Sequence, residues 1–402
     1  VGKYNSVLSR IKPLQPDVYD IGCVCHIANL VTQKAVKTLP LNVEDLLLNV
    51  YFHSEHSSKR KEQYKEFLDF TDTKPLKIVK HYATRWLSLE KCVIRLLHHW
   101  DALKSYFNSH NEIKHCAKML NNTEMWLYFC FLEHLPLLNH FNTTFQTSES
   151  MIGYLLEEAT ILLRKIMGKF VTAQAIKDSQ SLLKVPLHDK SLQHGDDIIS
   201  ENDDIPSQTL SSFFSHVRQF YEAATDKIMK MFPFQDATLK ALRFLNPDSR
   251  DSIQTDAVIR LAEKLHVNDH DLRALEDEFL DYQLSSASEL PDFECGSSLS
   301  DFWKAMANTK IKSRNSPRLH KVAVAALMIP HSNADTERLF STLRKIYTDA
   351  RSSLSSDAIH AILSTKVNNN TSCKDYRPEP NVLDAARKPC TTYNRRLQCS
   401  TQ

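Results

Sequence analysis

Apolar residues recur at three- and four-residue steps along most of this chain, a spacing that predicts helices with one buried face. The clearest example follows Ser88, a suitable N-cap residue, and predicts one helix to about Phe107. Its apolar positions are Leu89, Val93, Leu96, Leu97, Trp100, Leu103 and Phe107. Similar spacing over residues 150–170 and 210–232 predicts further helices, so the chain is expected to be mainly α.

Two short apolar runs interrupt this pattern. Ile21–Cys25 precedes a helical pattern over residues 27–39, and we expect a strand followed by a helix there. Val322–Ile329 is too short for its periodicity to separate a strand from a helix. The predicted strand supplies a small α/β part in a chain that is otherwise helical.

Polar and proline-containing stretches mark the connections. Residues 186–211 and 285–300 have little apolar material and predict surface loops. After Pro330, Ser332 and Asp335 have the spacing of a capping box that opens a helix to about Tyr347. A serine at 355 or 356 is expected to open a last helix, before a tail with little to bury.

Composition narrows the functional class. Six glycines in 402 residues are few, and neither glycine-rich nucleotide-binding fingerprint occurs. We therefore expect no dinucleotide or P-loop enzyme and no small-molecule cofactor. Nine scattered cysteines without a CxxC pair favour a reducing compartment, and no apolar run is long enough to span a membrane. The net charge of +2 is too small to indicate nucleic-acid binding, so only local clusters of basic residues can indicate it.

Three motifs carry a family resemblance: Cys23-Val24-Cys25-His26, the stretch Ala83–Ser88 that contains Arg85-Trp86, and Pro330–Ser341. In this order and at this separation they resemble the hAT-superfamily transposases and their domesticated relatives. The third motif resembles the start of the hAT C-terminal dimerisation region. The resemblance extends from about Val1 to Asn369.

The resemblance implies a partial RNase H-like core interrupted by a large all-helical insertion domain. Residues 1–40 then form an RNase H-like segment with the CxxH motif, and residues 41–315 form the insertion. Residues 316–370 form the C-terminal RNase H-like helices and the dimerisation region, and residues 371–402 form a disordered tail.

The resemblance also implies a site of three carboxylates that bind two divalent metal ions, for which the oxygen ligands suit Mg²⁺. Glu337 matches the third acid. The first two are expected upstream of this sequence, because Asp17 and Asp20 fall on the wrong side of the matching segment. We therefore expect no cofactor in this chain, and Mg²⁺ only if the parent protein is active. The alternative for Glu337 is a capping or salt-bridging residue beside Arg338 and Arg344.

In the family the CxxH histidine lies near the scissile phosphate, and His26 is the residue that matches. The alternative is a satisfied histidine at a strand-to-helix junction. A zinc site at Cys23 and His26 lacks companion ligands. The resemblance assigns Arg85 to phosphate binding and Trp86 to stacking on a flipped base. The alternative for Trp86 is a core anchor.

A run of basic residues surrounds the second motif. Lys77, Lys80, Lys91 and Arg95 are the candidate DNA contacts, and the alternative is an ordinary solvated helix face.

The last helices are expected to mediate self-association into a homodimer or higher oligomer. The candidate dimerisation residues are Leu339, Phe340, Leu343, Ile359 and Leu363. The sequence thus indicates a transposase-derived dimerisation and DNA-binding protein that is catalytically incomplete in this chain. One alternative is the C-terminal part of an active DDE-type hAT transposase, and another is a helical scaffold without a DNA role. Nuclear localisation is expected from the family alone.

Overall fold

The computed structural model describes residues 6–82, 88–110, 114–133, 136–188, 205–267, 271–294, 296–311, 315–369, 371–372, 374–384 and 386–387. Within these ranges the chain is mostly helical and has no strand, which confirms the prediction of a mainly α protein. The chain divides into two compact units, unit 1 (Val1–Asp335) and unit 2 (Thr336–Gln402). None of the described helices has the length and apolar character needed to cross a membrane.

Unit 1 holds most of the helices. They are α1 (Val7–Ile11), α2 (Val24–Val36), α3 (Val43–Glu55), α4 (Ser58–Phe70), α5 (Ser88–His98), α6 (Trp100–Ser109), α7 (Lys114–Leu120), α8 (Thr123–Glu133), α9 (Pro136–Thr144), α10 (Leu155–Met167), α11 (Ala173–Asp178), α12 (Ser207–Met231), α13 (Ala237–Leu242), α14 (Thr255–Lys264), α15 (Leu272–Leu284), α16 (Leu299–Met306) and α17 (Pro317–Leu327). Short 3-10 helices cover Leu182–Lys184, Arg243–Leu245, Pro247–Ser252 and Ala287–Glu289.

Two further helices follow, α18 (Ala334–Ile346), whose first two residues belong to unit 1, and α19 (Ser356–Asn368). The Ser332 hydroxyl accepts a hydrogen bond from the Ala334 amide at 3.4 Å, just before α18. The Ser355 hydroxyl accepts one from the Ala358 amide at 3.2 Å, which confirms the predicted cap of the last helix.

Side chains of N-cap residues fix the first residue of several helices. In each of five helices an Asn, Ser or Asp side chain accepts a hydrogen bond from the amide three residues later, which satisfies a donor that the helix itself leaves free. These residues are Asn42, Ser57, Asp236, Asp271 and Ser298.

The core of unit 1 is built around the pairing of α2 and α12, the latter 25 residues long. On α12, Phe220, Ala224 and Ile228 are spaced four residues apart and are buried. The small Ala28 and Ala35 are buried on α2. Small residues on α2 let the two helix backbones approach closely. Side chains four residues apart on α12 share one face, and this face packs against α2.

The predicted strand at Ile21–Cys25 is wrong. Residues 21–23 are irregular, Cys23 is the N-cap, and α2 begins at Val24. Val24, Ile27, Ala28 and Val31 are all buried, so the apolar run belongs to the helical face that follows it. The proposed small α/β part therefore has no strand in the described residues.

The single helix predicted from Ser88 to Phe107 is in fact two helices, α5 and α6. The break lies at His99, which is fully buried and whose Nδ1 is 3.0 Å from the Tyr64 hydroxyl. This contact comes from a distant part of the chain and is invisible to local periodicity. The undecided run Val322–Ile329 lies mostly in α17. The domain boundaries at residues 40, 315 and 370 and the RNase H-like core stay predictions.

Candidate functional site

Arg85 and Trp86 lie outside the described residues, but both ends of their loop are well defined. The Ser88 hydroxyl donates a hydrogen bond to the Tyr82 carbonyl at 2.9 Å and is 3.3 Å from the Tyr82 amide. It also lies 3.2 Å from Nδ1 of His81, which is buried. One side chain at the start of α5 thus joins the two ends of the segment 83–87.

His81 in turn connects the loop to α3. Its Nε2 is 3.7 Å from a carboxylate oxygen of Glu44, and this contact is the main cause of a lowered pKa at Glu44. A charged carboxylate beside a buried imidazole orients the ring and fixes its position. The residue before Tyr82 is therefore buried against α3.

The segment that enters this loop lies along one face of α5. The Cys92 thiol donates to the Val79 carbonyl at 3.4 Å, the Arg95 guanidinium donates to the Lys77 carbonyl, and His98 Nε2 is 3.1 Å from the Lys74 carbonyl. The three side chains recur every three residues on α5, so they hold the extended segment in register.

This arrangement holds the Arg95 guanidinium against the backbone of Lys77. The Lys80 ammonium lies 4.9 Å from the ring centroid of Phe52 and 5.3 Å from that of Tyr82, both exposed aromatic side chains. Lys77 and Lys91 are exposed. A surface with cations and aromatic rings thus flanks the loop of the second motif.

The first and third motifs meet in space although about 300 residues separate them. The Cys23 sulfur accepts a hydrogen bond from the Asn333 amide at 3.3 Å. The neighbouring Ser332 hydroxyl donates to the Phe145 carbonyl at 2.7 Å. The buried His331 accepts from the Met151 amide through Nδ1 at 3.4 Å. The segment before α18 is therefore anchored to the start of α2 and to the end of α9.

Cys23 has an unusual electrostatic environment. A hydrogen bond from the Cys25 thiol is the main factor that lowers the pKa of Cys23 to about 6, and the backbone amides of Asn333, His26 and Cys25 act in the same direction. The same pairing raises the pKa of the buried Cys25 far above its usual value. The lowered pKa favours the thiolate form of Cys23. The Cys25 thiol also lies 3.6 Å from the Asn142 carbonyl, which is a second acceptor for its proton.

His26 lies in the first turn of α2 with its side chain exposed. It is accessible from solvent, as a phosphate contact requires, and its role stays a prediction.

In unit 2, Glu337 is exposed in the first turn of α18. The described residues contain no group of three or more His, Cys, Asp or Glu side chains that could hold a metal ion. The described residues therefore do not include the ligand set of a two-metal site.

The candidate dimerisation residues lie on α18 and α19. Leu339 is 38% exposed and Phe340 is 52% exposed, while Leu343, Ile359 and Leu363 are partly buried. Among the described residues of unit 2, Ile346 is the one residue whose side chain is buried. The apolar face of α18 is thus open at Leu339, Phe340 and Tyr347, and covered at Ile346.

Sequence reasoning identified Ser88 only as a helix cap and gave His81 no role. The sequence contains no pattern that links Ser88 to the carbonyl and amide of Tyr82, because the two residues are six positions apart and belong to no common helix. The hydrogen bond from Asn333 to Cys23 could not be predicted from the sequence either, since its donor is a backbone amide, which nearly every residue has.

Residues 280–368 match the family model of the hAT family C-terminal dimerisation region. No curated protein matches the chain. The matched range contains α16, α17, α18 and α19 and includes the third motif. Residues 280–368 of the chain therefore carry the hAT C-terminal dimerisation region.

Proposed function

We propose that this chain is a transposase-derived protein that self-associates through α18 and α19, binds DNA beside the segment 83–87, and does not cleave DNA by itself. The observation that carries the proposal is the open apolar face of α18 inside the matched dimerisation region. The occupant of that face is a second copy of the chain.

The apolar face of α18 has the pattern of an interface. Leu339, Phe340, Leu343, Ile346 and Tyr347 recur at three- and four-residue steps, so they lie along one stripe. Tyr347 is 44% exposed, and on α19 Val367 is 60% exposed. Exposed apolar side chains in one stripe, with aromatic rings among them, are typical of surfaces that a protein partner covers.

The test replaces Phe340 by glutamate. Phe340→Glu puts a charge into the centre of the stripe and should convert the oligomer to monomer, as measured by light scattering coupled to size-exclusion chromatography. Phe70→Glu is the matched control, because Phe70 on α4 is 81% exposed and lies outside the matched region. Circular dichroism must show that both variants are folded. A folded Phe340→Glu protein with wild-type oligomeric state contradicts the proposal.

The DNA-binding part is supported by the surface around Lys77 and Lys80. Two exposed rings and several cations flank a loop whose ends are joined by Ser88. Aromatic faces stack on bases and cations neutralise phosphates, so the two together suit DNA with an unstacked base. Arg85 and Trp86, which the resemblance assigns to DNA binding, follow Tyr82 closely in the sequence.

This part is tested by the affinity for a duplex oligonucleotide as a function of salt. Lys77→Gln with Lys91→Gln should reduce the slope of log K against log salt by about 0.9 for each phosphate contact removed. Lys59→Gln on α4 is the control for loss of one exposed cation. Ser88→Ala should weaken binding without changing the slope, because it loosens the loop and removes no charge. A flat salt response of the wild type refutes the DNA-binding role.

The catalytic part is tested with Mg²⁺ and a DNA substrate. We expect no strand cleavage, and the same outcome for Glu337→Gln. Cleavage that requires Mg²⁺ and is lost in Glu337→Gln would instead favour an active transposase. Nuclear localisation belongs to the same proposal and is checked by microscopy of the tagged protein in cells.

A further inference from the structure

A concave groove in unit 1 lies between α13 and α14 and has a volume of about 590 Å³. This is within the range of roughly 300–1,000 Å³ that small-molecule sites occupy. We call it the basic groove and define it by four cationic residues that line it, Lys240, Arg243, Arg260 and Lys264.

The cations come from two walls. Lys240 and Arg243 are three residues apart at the end of α13, and Arg260 and Lys264 are four residues apart on α14. Each pair therefore projects from one face of its own wall. No acidic side chain is among the described residues that line the groove. Four like charges around one concavity create a strong positive potential there.

Nearby acids compensate this charge only in part. Asp256 lies 3.9 Å from Arg260, and both side chains are more than 60% exposed. Asp236 accepts hydrogen bonds from the Leu239 amide and from the Tyr19 hydroxyl. Exposed ion pairs at such a distance contribute little and are easily exchanged for another anion.

Arg243 supplies a second, independent observation. Its Nε is buried from solvent and has no hydrogen-bond partner among the described residues. A buried guanidinium donor without an acceptor is costly, and Arg pairs best with planar or bidentate oxygen acceptors such as phosphate. Arg243 as a whole is partly exposed and lines the groove, so an anion bound there would meet its side chain.

The remaining lining is apolar or uncharged. Leu156, Ala241, Ala257 and Leu261 form apolar surface, and Thr238 and Gln254 add hydrogen-bonding groups. The Thr238 hydroxyl accepts a hydrogen bond from the Lys264 ammonium at 2.8 Å. The groove therefore offers cations for phosphates and a floor on which a flat ring system can pack.

We propose that the basic groove binds a small molecule that carries a di- or triphosphate and an apolar ring system, that is, a nucleoside polyphosphate. Its phosphates are held by the four cationic side chains, and its ring lies on the apolar floor. The chain lacks the glycine-rich loops that bind phosphate through backbone amides, so side chains supply all of the recognition. The groove is distinct from the α18 face and from the loop 83–87.

The experiment is isothermal titration calorimetry of the full chain with ATP, with inorganic tripolyphosphate and with a duplex oligonucleotide. We expect ATP to bind more tightly than about 1 mM and more tightly than tripolyphosphate. Arg243→Gln and Arg260→Gln should each weaken ATP binding by about tenfold or more, the effect of one lost charge-assisted hydrogen bond.

Lys169→Gln is the matched control, because Lys169 is exposed just after α10, about 20 Å along that helix from Leu156. It should leave the ATP affinity unchanged. Circular dichroism and thermal unfolding establish that each variant is folded; since Arg260 is exposed, its variant keeps the test valid if Arg243→Gln fails to fold.

Three results overturn the proposal. The first is a groove that does not take ATP, seen either as no ATP binding by the wild type or as an ATP affinity in the groove variants equal to that of the wild type. The second is tripolyphosphate binding as tight as ATP binding, because the floor then contributes nothing. The third is loss of oligonucleotide binding alone in the groove variants, which would make the groove a nucleic-acid contact. The self-association test and the Lys77→Gln with Lys91→Gln test use residues outside the groove, so failure of the groove proposal is separable from failure of the proposed function.

Discussion

The Cys23 thiol is predicted to react as a thiolate at unusually low pH. Its pKa is lowered to about 6, mainly by the hydrogen bond from Cys25. A cysteine with an ordinary pKa of about 8.5 is only about 0.3% thiolate at pH 6, whereas Cys23 is about half thiolate. The ratio of thiolate fractions at this pH is therefore roughly 160.

A second effect opposes the first. Nucleophilicity falls with pKa by about 0.4–0.5 logarithmic units per unit, which makes the Cys23 thiolate roughly 10- to 18-fold less reactive. At pH 6 the thiolate fraction dominates, and Cys23 should react about tenfold faster than an ordinary cysteine. At pH 8.5 the ordinary cysteine is half ionised, so Cys23 should be several-fold slower. The two pH profiles are expected to cross between roughly pH 7 and 8.

The assay is alkylation by iodoacetamide over pH 5 to 9, read by mass spectrometry of the peptide that contains Cys23. An unstructured cysteine peptide in the same tube is the reference. Partial burial of Cys23 lowers its absolute rates, so the pH of half-maximal rate is the decisive quantity. Cys25→Ala should shift this pH upward, because it removes the principal hydrogen-bond donor. A half-maximal rate at about pH 8 or above would refute the assignment.

Three stability predictions concern the core of unit 1, each measured by urea denaturation. Gly153→Ala should cost about 1–3 kcal/mol, because the added Cβ would lie 2.9 Å from a methyl group of Leu299; an unchanged midpoint would mean that the core relaxes freely. Glu278→Ala should cost about 2–3 kcal/mol, because this carboxylate accepts hydrogen bonds from the Arg318 amide at 2.8 Å and from its guanidinium at 3.2 Å. Trp303→Phe should cost about 1–3 kcal/mol, because the indole donates to a buried backbone carbonyl at 2.9 Å; a loss below about 0.5 kcal/mol would contradict this role.

Local patterns in the sequence determined most helices of this protein. The periodicity over residues 150–170 corresponds to α10, and the serine at 355 caps α19 as expected. Helix formation and capping depend on side chains three or four residues apart, so the information lies within one turn of the chain. The dimerisation region was likewise readable from the motif at Pro330–Ser341, because its residues are contiguous.

The tertiary structure decided what lies together. It attaches Asn333 to Cys23, joins Ser88 to Tyr82, and breaks the helix at His99 by a contact with α4. It also assembles cations from two helices into the basic groove. These contacts depend on which helix faces pack together. The burial of apolar surface over the whole chain determines this packing, and residues that are neighbours in the sequence do not. The open face of α18 follows the same rule, since a periodic apolar stripe looks the same in sequence whether its partner is the core or another copy.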